Sequence, residues 1–86
     1  MFVAFYGGIT RFTNGDNTYT PKAHATLRGL LEELAELYGE QFISFVYGNE
    51  TCIILINGKG IMLSGGLDSV LDLDDKIEFL PFVDAG

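Results

Sequence analysis

The sequence holds one cysteine, Cys52, one histidine, His24, and no tryptophan. A single thiol forms no intrachain disulfide, and one thiol with one imidazole cannot build a cysteine-based metal site. Cations are scarce: five Lys and Arg stand against twelve Asp and Glu, for a formal net charge of −7. Binding nucleic acid requires a basic face that neutralises phosphates, so no nucleic-acid partner is expected. A protein with a complementary basic patch suits this charge better, because asymmetry of charge steers encounter. No apolar run approaches the roughly 18–20 residues that span a bilayer, so no membrane association is expected. The opening Met-Phe-Val-Ala-Phe-Tyr-Gly-Gly has no basic region before its apolar residues, unlike a signal peptide. The reading is a cytoplasmic protein.

What is present describes one ordinary globular domain. Apolar residues make up 48% and charged residues 20% of the 86, enough for a modest core without covalent staples. Phe2 to Tyr6 is a continuous apolar run closed by Gly7-Gly8, the mark of a strand buried on both faces. Ile9 to Thr13 reads as its short continuation. Asn14-Gly15-Asp16-Asn17 is a turn cluster, and Thr18-Tyr19-Thr20 the returning strand of a first hairpin. Leu27, Leu30, Leu31, Leu34, Leu37 and Tyr38 form one stripe of a 3.6-residue period, with Arg28, Glu32, Glu33 and Glu36 on the other face. This predicts a core helix with Thr26 as N-cap and Gly39 at its end. Gln41 to Tyr47 reads as a connecting loop or extended segment. Thr51 to Ile56 is a β-branched strand, and Asn57-Gly58 predicts a tight hairpin returning through Gly60 to Leu63.

The last stretch, Asp75 to Gly86, organises the rest. Ile77 and Phe79 alternate with Glu78 in the period of a half-buried strand. Pro81 has no N–H, so pairing is expected to stop there. The domain thus runs over 1–81, followed by a tail, 82–86, that can extend by about 17 Å. Strand, strand, helix, strand, strand, strand permits a mixed sheet with one helix on one face. If the first and last strands pair, the unit is a β-grasp.

No catalytic constellation is evident. His24, near the helix start, reads as exposed and incidental. Asp72, Asp74 and Asp75 lack the spacing of a calcium loop and read as a solvated turn. Cys52, in a strand, reads as a small buried hydrophobe. The glycine pairs do not sit between strand and helix as a phosphate cradle requires. The chain is therefore not expected to be an enzyme, nor to bind a metal or cofactor of its own.

The run Leu55-Ile56-Asn57-Gly58, then Ser64-Gly65-Gly66-Leu67-Asp68, then Asp75-Lys76-Ile77-Glu78-Phe79-Leu80-Pro81 with a terminal glycine, resembles the MoaD/ThiS family of sulfur carriers. The apolar first strand and the Thr-Leu-x-x-Leu-Leu helix start fit the same pattern. The likeness is strongest to the MoaD branch, the small subunit of molybdopterin synthase, with CysO-type carriers a near variant. It implies an α+β ubiquitin-like β-grasp, a mixed sheet of four to five strands covered by one main helix. It implies that Gly86 is adenylated by a partner related to ubiquitin activators (MoeB-like), which uses ATP, and is then converted to a thiocarboxylate. A MoaE-like large subunit or another acceptor enzyme would consume that sulfur in molybdopterin biosynthesis, with the catalytic groups on the partners. Phe82, Val83, Asp84 and Ala85 would form the tail, and Tyr6, Leu63, Leu80 and Phe82 the partner interface. Two positions depart from the family pattern: Ala85 replaces the first glycine of a Gly-Gly end, and Leu73-Asp74-Asp75 replaces Asp-Gly-Asp. Aspartate also visits the left-handed region, so a similar turn is feasible. Rival readings are a β-grasp adaptor whose tail is never activated, a carrier for cysteine or thiamine synthesis, and protein conjugation through Gly86.

Overall fold

The computed structural model describes residues 1–48, 52–63 and 65–81. Five strands form one mixed sheet in the order β2-β1-β5-β3-β4. They are β1 (Phe2–Phe5), β2 (Thr18–Tyr19), β3 (Cys52–Ile56), β4 (Lys59–Gly60) and β5 (Lys76–Pro81). The last strand lies at the centre. It pairs parallel with β1, Phe5 opposite Phe79, and antiparallel with β3, Ile54 opposite Phe79. The first and last strands therefore lie side by side, which makes the chain a ubiquitin-like β-grasp.

Helix α1 (Leu27–Tyr38) follows its stripe through Leu27, Leu30, Leu31 and Leu34, which are buried, whereas Leu37, expected in the core, is 44% exposed. Thr26 caps its start, its Oγ1 accepting from Gly29 N at 3.3 Å. Gly39 ends it at φ 88°, a conformation a side chain would disfavour. In the hairpin between β3 and β4, Asn57 and Gly58 have φ of 52° and 85°, the two positive angles of a turn whose twist matches the strands.

Three expectations are corrected. Residues 41–47 are helical, within α2 (Glu40–Gly48). Phe42 is fully buried, with ring centroids 5.9 Å from Phe5, 5.8 Å from Phe79 and 5.5 Å from Tyr38. Phe45 stacks on Phe12 at 5.1 Å. Phe42 with Phe45 and Val46 is a helical spacing too short to stand out among aromatic and β-branched neighbours, and packing decides the segment. Residues 7–12 form a 3-10 helix that buries Ile9, not a strand continuation. Gly7, at φ 63°, swings the chain out of the sheet, and a Cβ there would stand 3.1 Å from the Pro81 ring. Finally, β4 is only two residues, and Ile61–Leu63 is a second 3-10 turn.

Pairing also reaches Pro81 itself, opposite Cys52. The donor Tyr6 N meets Phe79 O at 3.0 Å, so the odd-numbered residues of β5 turn their backbone groups towards β1. By Pro81 the chain of β1 has left for the 3-10 helix, and the missing N–H leaves no partner unmet.

Two side chains expected to be solvated are partly enclosed. Glu33 accepts from Tyr19 OH at 2.5 Å and from Lys22 N at 3.1 Å, and its Oε1 lies 2.6 Å from His24 Nε2. With side-chain exposures of 22% and 15%, His24 and Glu33 tie the segment before α1 to the helix. Gly29 makes the room: a Cβ there would meet His24 Nδ1 at 3.3 Å. Burial pushes the Glu33 carboxyl up, but hydrogen bonds from Tyr19, His24 and Lys22 N, with the charge of His24, outweigh it and hold the group below its ordinary value. A depressed carboxyl stabilises above its unfolded pKa and loses that contribution as pH falls through the folded one. Glu33→Gln is therefore expected to cost about 1–2 kcal/mol at neutral pH. The gap to wild type should close on acidification, read from urea midpoints at pH 7 and in acid. A gap that ignores pH would contradict the assignment.

Candidate functional site

The site is built on the sheet face turned away from the helices. Val3, Phe5, Ile54, Ile56, Ile77 and Phe79 are buried and pack in the common core, so alternation sends their neighbours to the opposite face. Residues opposite one another across strands share a face. Ala4 and Leu55 both stand opposite Glu78, Ile53 opposite Leu80, and Phe2 opposite Lys76. Tyr6, one residue beyond β1, continues the same alternation beside Leu80.

Glu78 is the polar centre of this face. Tyr6 OH donates to its Oε2 at 2.7 Å, and Lys76 Nζ lies 3.5 Å from the same oxygen. The bond to Glu78, with lesser contributions from burial and the carboxylate's charge, holds the Tyr6 phenol above its ordinary value. Ile53, Leu55 and Leu80 are half-buried, whereas Phe2 and Tyr6 are exposed.

Of the residues expected at a partner interface, Tyr6 and Leu80 therefore stand together on this face. Leu63 is 85% exposed on the 3-10 turn after β4, next to Met62 at 88%. Phe82, the rest of the tail (Val83, Asp84, Ala85) and Gly86 lie outside the described residues. Sequence reading missed Ile53, Leu55 and Glu78 as members of the face. The alternation of the β3 run carried the signal, but only the register with β5 shows which neighbours it meets.

The reactive and acidic groups away from this face have other roles. Burial pushes the Cys52 thiol up to about 11, which keeps it protonated at neutral pH and a poor nucleophile. Asp75, read as part of a solvated turn, is buried; Asn57 Nδ2 donates to its Oδ1 and Asp72 N to its Oδ2, both at 2.8 Å. The turn before β5 closes through Asp75 N to Asp72 O at 3.1 Å. Neither Asp74 nor Asp75 is left-handed, since the non-glycine residues with positive φ among the described residues are Asn14 and Asn57. Among the described residues no three His, Cys, Asp or Glu side chains are grouped to hold a metal ion. No described helix is long and apolar enough to cross a membrane.

A β-grasp with a central last strand and an apolar outer face is the form of a small ubiquitin-like protein. The ThiS family model matches residues 3–86, and the chain belongs to that family of small sulfur-carrier and ubiquitin-like modifier proteins, which are not themselves enzymes. A comparison with curated proteins finds no match. Among solved structures the chain is similar to one in the BexX/CysO complex of Amycolatopsis orientalis, at 18% identity and a TM-score of 0.83, covering 99% of this chain and 98% of that one. It is also similar to the small archaeal modifier protein 1 of Methanosarcina acetivorans, at 25% identity and 0.76, covering 99% and 94%. A third likeness is to a chain in the complex of subunits 1 and 2 of the Helicobacter pylori molybdopterin-converting factor, at 27% identity and 0.67, covering 99% and 96%.

Proposed function

We propose that this protein is a sulfur carrier whose Gly86 carboxylate is activated and converted to a thiocarboxylate for molybdopterin biosynthesis. The observation that carries the reading is the family match over residues 3–86, joined to a fold whose central strand, β5, leads into residues 82–86. Activation is needed because a carboxylate is a poor electrophile. Its oxygen attacks the α-phosphorus of ATP on the partner enzyme, pyrophosphate leaves, and the carbonyl carbon becomes open to attack. Sulfur at the sulfide level then displaces AMP. A terminal glycine offers no side chain against a narrow channel. The adenylating partner is of the MoeB-like type and the acceptor a MoaE-like subunit. The 27% identity to a chain of the Helicobacter pylori molybdopterin-converting factor supports molybdopterin synthesis as the destination of the sulfur. On this reading the protein works in the cytoplasm, beside an adenylating enzyme that draws on ATP.

Incubating the protein with its adenylating partner, ATP and a sulfur donor should raise its intact mass by the difference between sulfur and oxygen. Deleting Gly86 should abolish the shift. A carrier that stays unchanged under conditions that load a Gly-Gly-ended relative would overturn the reading and leave a β-grasp adaptor. Ala85, with its added methyl, is the residue that favours that second reading.

A further inference from the structure

The outer sheet face carries one carboxylate in the middle of apolar side chains, and the described residues engage only half of it. Tyr6 and Lys76 both address Oε2 of Glu78. Oε1 has no protein partner among the described residues, and no buried side-chain oxygen there lacks a hydrogen bond. Oε1 is thus open to a donor from outside the described residues, on a side chain that is 18% exposed. Leu55 and Ala4 flank it across the sheet, with Leu80 and Ile53 one pair further along. Lys76, half-exposed and 3.5 Å away, is a weak counter-charge at a wet surface.

We infer that this face docks a protein surface that is apolar around a single arginine, with the guanidinium placed on Glu78. The inference rests on the carrier reading, in which partners must grip the domain while the tail reaches their active sites. A partner covering Leu55 and Leu80 strips the water from Oε1. A carboxylate left without a donor in that dry setting costs far more than the apolar contact around it returns. The partner must supply a donor, and a chain of net charge −7 favours a cationic one. Arginine fits better than lysine, because its planar and weakly hydrated fork tolerates apolar surroundings and meets a carboxylate with two N–H groups. Glu78 then sets which partner is accepted, since an apolar or acidic surface at that point is penalised.

The test compares Glu78→Gln with Glu36→Gln, an equal change of charge on the exposed far side of α1, in the sulfur-loading reaction with the adenylating enzyme of the same organism. Glu78→Gln keeps an oxygen for Tyr6, and thermal melts report whether the fold survives. The expected result is a KM for the carrier raised about 10-fold or more, with kcat unchanged because Glu78 takes no part in the reaction itself. Glu36→Gln should move KM by less than about 2-fold, and Glu78→Lys should be worse than Glu78→Gln. If wild type loads sulfur and Glu78→Gln matches Glu36→Gln, the docking inference is wrong and the carrier reading stands. If wild type itself never gains sulfur, the carrier reading falls and takes this inference with it.

Discussion

Phe79→Ala should remove about 3–5 kcal/mol of stability, a large part of the about 5–15 kcal/mol that holds a domain together. Phe79 sits in the middle of β5, opposite Phe5 on one side and Ile54 on the other. It is fully buried, its ring centroid 5.5 Å from Phe5 and 5.8 Å from Phe42. Three rings from β1, α2 and β5 thus meet at one point, and Tyr38 of α1 adds its edge to Phe5 at 5.6 Å. Truncation removes the aromatic surface from all of them at once and leaves a cavity that elements on both sides cannot collapse into. In a domain of this size each kcal/mol lowers the melting midpoint by about 4–8 °C, so the variant should melt well below wild type. Phe79→Leu keeps most of the volume and should cost less than half as much. Circular dichroism melts and urea titrations read both. An alanine variant within 1 kcal/mol of wild type would mean that the aromatic junction is not the core.

That junction also shows where the sequence is legible. The leucine stripe of α1 as far as Leu34, its Thr26 cap and the Asn57-Gly58 turn are local signals, and each appears in the structure as read. The pairing of first and last strands is non-local, but the order of elements leaves it as the natural way to close the sheet. The helix at α2 was not legible, because Phe42, Phe45 and Val46 acquire meaning only against Phe5, Phe79 and Phe12. Gly7 and Gly29 look alike in the sequence, yet one accommodates the Pro81 ring and the other the His24 ring. Glu33 belongs by periodicity to the solvated face of its helix, and only the arrival of Tyr19, Lys22 and His24 encloses it. The candidate site divides in the same way. Tyr6 and Leu80 enter the candidate face through the family resemblance, whereas Glu78 takes its place at the centre of the face from the register with β1 and β3.

Asp75→Ala should cost about 2–4 kcal/mol, because it strands two donors that a carboxylate now satisfies. Asp75 accepts from Asn57 Nδ2 and Asp72 N, while Asn57 Oδ1 accepts from Lys76 N at 2.9 Å and Asn57 N donates to Lys76 O at 2.8 Å. Phe2 N donates to Asp75 O at 3.0 Å, and the N-terminal amine to Leu73 O. The start of β1, the hairpin after β3 and the start of β5 are thus knotted at one end of the sheet. Because Asn57 and Asp75 share the knot, the cost of Asn57→Ala with Asp75→Ala should fall short of the sum of the single changes. Additive effects would show the two residues acting separately. The knot lies at the opposite end of β5 from the tail, so a folded Asp75→Ala protein, kept well below its melting point, should load sulfur with unchanged kcat. The end of β5 that fixes the strand would then be separable from the end that leads to Gly86: the first sets how stable the carrier is, the second what it carries.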